Sequence, residues 1–230
     1  MDDLLIKYFK ERHQIQQERG HSPGPVLTIS REFGCEANPL AEILTHRLND
    51  YFIPIVSKRK WNIINKEVLD GAATELQTDS KKIEYIFSFE KKNMVDDFIM
   101  SVSSKQYRSE WRIKEAIKEV IRSFGNYGHA IIIGRAGAQI LQDIESALHI
   151  RLIAPFKWRV KSISEKHQIT LKDAEKRVIF MDKNRMKLIE KFSKETECDS
   201  CYDVLYNIKS LSSAQISKNI IHMMQQRKLV

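Results

Sequence analysis

The stretch "VLTISREFGCEANPLAEIL", residues 26–44, passes from a branched apolar run through a turn into a helical apolar pattern. Residues 26–30 are short, apolar and bounded by turn signals, which predicts a buried strand. Asn38 followed by Pro39 predicts a helix that Asn38 caps and that runs to about Asn49. The amides at such a helix start have no intrahelical partner, which is why α/β proteins hold phosphate there. The full phosphate-loop pattern G-x-x-x-x-G-K-[ST] ends in a lysine and a hydroxyl residue. This turn instead ends in Glu36, Ala37, Asn38 and Pro39. Three readings are open: a phosphate loop built unusually, one that has lost its ligand, or an ordinary strand-to-helix turn.

Outward from this stretch, "FIPIVS" (52–57) predicts a second strand, "HAIIIGRAG" (129–137) a third, "ALHIRLIAP" (147–155) a fourth and "YDVLYNI" (202–208) a fifth. Helices are expected over 58–70, 80–125, 156–166 and 170–191, the last as one long helix or a pair, and over a closing segment started by Ser212 or Ser213. Strands separated by helices require right-handed crossovers and give a mostly parallel sheet with helices on both faces. Ligands of such folds bind beyond the carboxyl ends of the strands, where both the 34–38 turn and Gly134-Arg135 fall. Ahead of the domain, residues 2–19 place Leu4, Leu5, Tyr8, Phe9 and Ile15 at roughly helical spacing. That helix, with its linker to residue 25, is expected to dock on the domain or on a second subunit.

Composition narrows the function classes. No apolar run approaches the ~18 residues that span a bilayer, and the charged N-terminus is not a signal peptide, so a cytoplasmic protein without membrane contact is expected. The net charge is +8, but Lys and Arg are interleaved with Glu, as in "RIKEAIKEVIR". Dispersed basicity predicts a solvated surface rather than a nucleic-acid interface, with a polyanionic small ligand, nucleotides included, as the alternative. Cys198 and Cys201 have C-x-x-C spacing without a second ligand pair, so the cysteines read as incidental surface thiols rather than a metal site.

The ordered set "ISREFG" (29–34), "IIIGRAGAQIL" (131–141), "LHIRLIAPFKWRVKSI" (148–163), "DKNRMKLIEKF" (182–192) and "YDVLYNIKSLS" (202–212) resembles the cytidylate kinase-like family. The resemblance implies a three-layer P-loop kinase fold over 26–230, with a helical substrate-binding insert at 58–125 and a helical lid at 166–195. It further implies transfer of the γ-phosphoryl of ATP, with Mg²⁺, to a nucleoside monophosphate of cytidylate type. In that family the turn usually continues Ser-Gly-Gly, since backbone amides must approach phosphate oxygens closely. Here Gly34 is retained, Cys35 is small and Glu36 replaces a glycine. The family already departs from the lysine-bearing pattern, so Ala37 alone does not signal lost activity.

By the same resemblance Gly34, Cys35, Glu36, Ala37, Asn38 and Arg159 form the cofactor-binding set, with no metal ligand assigned. Arg135 stands over the acceptor's phosphate, while Lys183 and Arg185 clamp the triphosphate and Asp182 orients the ribose or a neighbouring arginine. The Glu36 carboxylate lies beside a helix N-terminus, which favours a negative charge there by ~0.3–1 kcal/mol. Either it fills the anion site itself or it faces solvent. A degenerate, non-catalytic member that senses ligands or binds proteins is the alternative function.

Overall fold

The computed structural model describes residues 24–52, 60–65, 118, 120–193 and 200–230. The N-terminal helix expected over 2–19, the strand over 53–57, most of the 58–125 insert and Cys198 lie outside these residues.

Five parallel strands form one sheet: β1 (Val26–Arg31), β2 (Asn62–Ile64), β3 (Ala130–Ile133), β4 (Ala147–Ile153) and β5 (Val204–Asn207), in the order β2-β3-β1-β4-β5. The strand β1 is central, pairing Val26 with Ala130 on one side and with Ala147 on the other. Alternation of side chains along a strand then divides the core in two. Leu27, Ile29, Ile131, Ile133, Leu148 and Ile150 face helices α1 (Asn38–Arg47) and α6 (Ser213–Gln226), through Leu40, Leu44, Ile216 and Ile220. Val26, Ala130 and Ile132 face the opposite way, against α2 (residues 120–127) and α3 (Gly137–Ile140), through Ile121, Phe124 and Ile140. The expected three-layer α/β architecture is therefore the observed one, with an all-parallel sheet. Burying each of these aliphatic side chains contributes about 1.5–3 kcal/mol before chain entropy is set against it.

Two further helices, α4 (Phe156–His167) and α5 (Leu171–Phe192), pack on each other beyond the carboxyl edge through Val160, Ile163, Ala174 and Val178. The segment 170–191 is thus a single helix, capped by Thr170 Oγ1, which accepts from Asp173 N at 3.2 Å. Of the two candidate caps for α6, Ser212 is the one used, in a capping box with Gln215.

Three expectations are corrected. First, Asn62–Ile64 is a strand where a helix was expected: it pairs with β3, and Asn49 brackets Trp61 by accepting from its amide and donating to its carbonyl. Tertiary pairing overrides local periodicity here. Phe52, expected to begin a strand, closes a π-helical turn over Leu48–Phe52.

Second, Asn38 does not cap α1. The chain already has φ −96° and ψ −26° at Ala37, whose carbonyl accepts from Ala41 N at 2.9 Å, so the helix begins one residue earlier and without a side-chain cap. Third, the cysteines are not surface thiols: Cys35 is a buried free thiol and Cys201 is disulfide-bonded. Among the described residues no helix is long and apolar enough to cross a membrane.

Candidate functional site

Beyond Arg31 the chain continues the sheet for one bond, Glu32 N to Leu152 O at 3.0 Å, and then turns. Gly34 has φ +91°, and a Cβ there would sit 3.1 Å from Cβ of Arg159, so this position needs glycine on two counts. Cys35 N closes the turn onto Glu32 O at 3.1 Å. The amides of Gly34, Glu36 and Ala37 bond to no protein group among the described residues. They stand at the start of α1 as unused donors, the chemistry that receives an anion.

The turn is fixed from below by Arg159 of α4, which is 5% exposed. Its Nη1 donates to Phe33 O at 2.9 Å and to Asp182 Oδ2 at 2.5 Å, and its Nε donates to Ala154 O at 3.0 Å, with Glu32 Oε2 at 3.2 Å. Asp182 of α5 accepts from Phe33 N at 2.7 Å, and Glu32 from Ala154 N at 3.0 Å. Both peptide groups of Phe33 are thus spent on charged partners, an arrangement that fixes backbone position. Arg159 and Asp182 are brought together, and what they hold is the turn.

Above the turn lie the arginines. Arg185 Nη1 donates to Arg31 O at 3.0 Å, and its guanidinium stands 5.3 Å from the centroid of the Phe33 ring. The guanidinium of Arg31 lies against Gly134 at the end of β3, where any Cβ would collide with its Nη1. Gly134 has φ +71°, Arg135 +57° and Ala136 +55°. Left-handed backbone costs a non-glycine residue about 1–2 kcal/mol, so the Arg135-Ala136 corner is a strained one. Burial, and after it the like charges of Arg185 and Arg135, push Arg31 from its ordinary 12.5 down to about 9, still a cation at neutral pH. Burial also lowers Arg185, against the opposing pull of Asp182.

Turn and arginines enclose a cavity of about 250 Å³, lined by Arg31, residues 33–38 and Arg185, with Ser162, Ile163, Lys166 and His167 of α4 as the far wall. Glu36 and Lys166, both in its lining, form an ion pair, each side chain about half exposed. Cys35 is no nucleophile, since burial, and after it the charge of Glu32, raise its thiol to about 12. Lys183 is exposed on α5 and is not part of the cavity wall.

The donor set does not fit a protein-held Mg²⁺. Glu32 and Asp182 are committed to Arg159 and backbone amides, and Glu36 to Lys166. Among the described residues no group of three or more candidate ligands converges.

Sequence reasoning missed Arg31, Glu32, Phe33 and Lys166. For Arg159 a signal existed: it stands four residues before the buried Ile163, and a charge on the apolar stripe of a helix announces a buried partner.

The model of the cytidylate kinase-like family matches residues 26–210. No curated protein matches the sequence. Among solved structures, an uncharacterised protein from Eubacterium ventriosum ATCC 27560 superposes with a TM-score of 0.62 at 19% identity, over 88% of this chain and 98% of that one, a likeness of fold. Dephospho-CoA kinase from Campylobacter jejuni gives a TM-score of 0.40 at 13% identity, over 89% of this chain and 97% of that one.

Proposed function

The chain belongs to the cytidylate kinase-like family, and from that premise we propose that it binds ATP at the 34–38 turn and transfers the γ-phosphoryl to a nucleoside monophosphate of cytidylate type. The single observation that carries this reading is the cavity of about 250 Å³ beyond the carboxyl end of β1, lined by Arg31, Arg185 and the turn whose backbone amides are unused. In the reaction an oxygen of the acceptor phosphate attacks the γ-phosphorus and the bond to the β-γ bridging oxygen breaks, leaving ADP. Such transfer needs little covalent help from the protein; it needs alignment and neutralisation of charge on the transferring group.

In this reading the charge is met by Arg185 from α5, with Arg135 at the acceptor's phosphate and Lys183, exposed on α5, at the rim. Gly34, Glu36 and Ala37 supply the amides of the backbone cradle, with Cys35 and Asn38 completing the turn. Arg159 and Asp182 are positioning residues, because their polar atoms are engaged by the turn itself.

The reading is tested by measuring ADP release with ATP–Mg²⁺ and CMP, dCMP, UMP or AMP, alongside thermal shifts with each nucleotide, since a ligand of the native state raises the melting temperature. ADP formed only with an acceptor present is expected. No shift with any nucleotide and no ADP refutes it.

A second reading, a nucleotide-binding member without turnover, is favoured by one feature: the Glu36 carboxylate, paired with Lys166, lies in the lining of the cavity that phosphate must enter. Thermal shifts with ATP but no ADP with any acceptor would select it.

A further inference from the structure

We propose that Arg31, held beside Arg185, is the principal cation for a terminal phosphoryl dianion in this cavity and does the work of the lysine that the start of α1 lacks. The inference rests on the phosphate-binding reading of the same cavity. At the position where a loop lysine would stand, Ala37 is small and buried and has no charge to offer. Arg31 comes from the end of β1 and lines the same cavity as the residues whose amides are unused.

The surroundings of Arg31 are those of a cation awaiting an anion. Arg159, the guanidinium beneath the turn, has Glu32 and Asp182 as ion-pair partners, and elsewhere in the domain Arg122 has Asp143 and Arg227 has Asp203. Among the described residues no carboxylate pairs with Arg31, and the charges that act on it are those of Arg185 and Arg135. A guanidinium held among like charges destabilises the fold unless an anion compensates it, and among the described residues no carboxylate does.

Two local features are explained by keeping it there. Gly134 leaves the space its Nη1 fills, and the guanidinium of Arg185 is fixed to the backbone carbonyl of Arg31. Two arginines and a turn with unused amides around one cavity suit a compact dianion carrying several oxygens, such as the end of a pyrophosphate or triphosphate.

The test uses the full chain, with sodium pyrophosphate and ATP–Mg²⁺ as probes in calorimetry and thermal shift at fixed ionic strength. Arg31→Gln is expected to weaken pyrophosphate about 10- to 100-fold while raising the melting temperature of the unliganded protein. Arg31→Lys should fall between it and wild type. A purely structural arginine would give the opposite sign in melting temperature. Wild-type affinity in Arg31→Gln overturns this inference and leaves the phosphotransferase reading standing. Failure of wild type to bind either probe overturns both.

If Arg31→Gln does not fold, phenylglyoxal labelling of wild type with peptide mapping decides the matter. Slower modification of Arg31 in the presence of pyrophosphate supports the assignment, and an unchanged rate overturns it.

Discussion

Replacing Arg159 by Met removes a guanidinium of which 6% of the side chain is exposed, while its carboxylate partners Glu32 and Asp182 are 24% and 28% exposed. Met preserves most of the packing volume, so the lost interactions dominate. Two carboxylates lose their counter-ion, and the carbonyls of Phe33 and Ala154 lose a donor. Deleting one partner of a buried ion pair costs about 3–5 kcal/mol, and the partial exposure of both acids, which lets water return to them, argues for the lower end, about 3 kcal/mol. For a chain of this size that corresponds to a fall in melting temperature of about 6–12 °C.

The assay is thermal unfolding of the unliganded protein by circular dichroism, with Glu32→Gln and Asp182→Asn introduced singly and together with Arg159→Met. Neutralising the stranded acids should recover part of the loss, so the double variants are less destabilised than the sum of the singles. A melting temperature within 2 °C of wild type, taking about 2 °C as less than 1 kcal/mol, would refute the reasoning. Arg159 would then be free to serve ligand, as the family resemblance alone implies.

Three further outcomes are expected. Glu36→Gly frees Lys166 and removes the carboxylate from the cavity lining; the exposed pair contributes little to stability, so pyrophosphate should bind up to about fivefold more tightly by calorimetry with the melting temperature nearly unchanged, and unchanged affinity would show that Glu36 is no obstacle. Because Arg31 is depressed from 12.5 to about 9, the native state holds this proton less tightly than the unfolded one; the melting-temperature advantage of Arg31→Gln should be full below pH 9 and shrink as pH rises from 9 toward 12.5, with wild-type pyrophosphate affinity falling over the same window, and a constant advantage between pH 7.5 and 10.5 counts against it. Cys35, with its thiol raised to about 12, should resist iodoacetamide at pH 8 in the native protein and react once urea exposes it, as mass spectrometry of the labelled peptide will report.

The parts of the fold that were legible in the sequence are those whose signal is local. Ile131, Ile132 and Ile133 form an apolar run too short for a helix and ended by Gly134, so β3 could be read directly, as could β1 and β4. The strand β2 carries only Ile63 and Ile64 of that signal, and its existence depends on pairing with a strand that lies 66 residues on, from Ile64 to Ala130. The cap of α1 failed for a different reason. Capping preferences presume a chain entering in extended conformation, whereas this turn, tied down by Asp182 and Arg159, delivers Ala37 already in the helical region. In the site, Arg185 could be nominated from the lid segment, but nothing in "ISREFG" distinguishes Arg31 from an ordinary charge at a strand end. Its meaning depends on Gly134, more than a hundred residues away in the chain.

The turn therefore separates two populations of positive charge that a basic composition blends into one. Beneath it, Arg159 is surrounded by Glu32, Asp182 and two backbone carbonyls, and its charge is consumed in holding Phe33 in place. Above it, Arg31 and Arg185 stand together on the cavity side, with the strained Arg135-Ala136 corner next to them. A uniform basic patch would respond to loss of any one arginine in the same direction, by less repulsion and weaker anion binding. The layered arrangement requires opposite signs: Arg159→Met must lower the melting temperature of the unliganded chain, and Arg31→Gln must raise it. Adding pyrophosphate at a concentration that saturates wild type should raise the melting temperature of wild type by clearly more than that of Arg31→Gln, because binding energy enters only through the native state. If both variants lower the melting temperature, Arg31 belongs with Arg159 to the scaffold, and the phosphoryl charge must be met by Arg185 and the backbone amides alone.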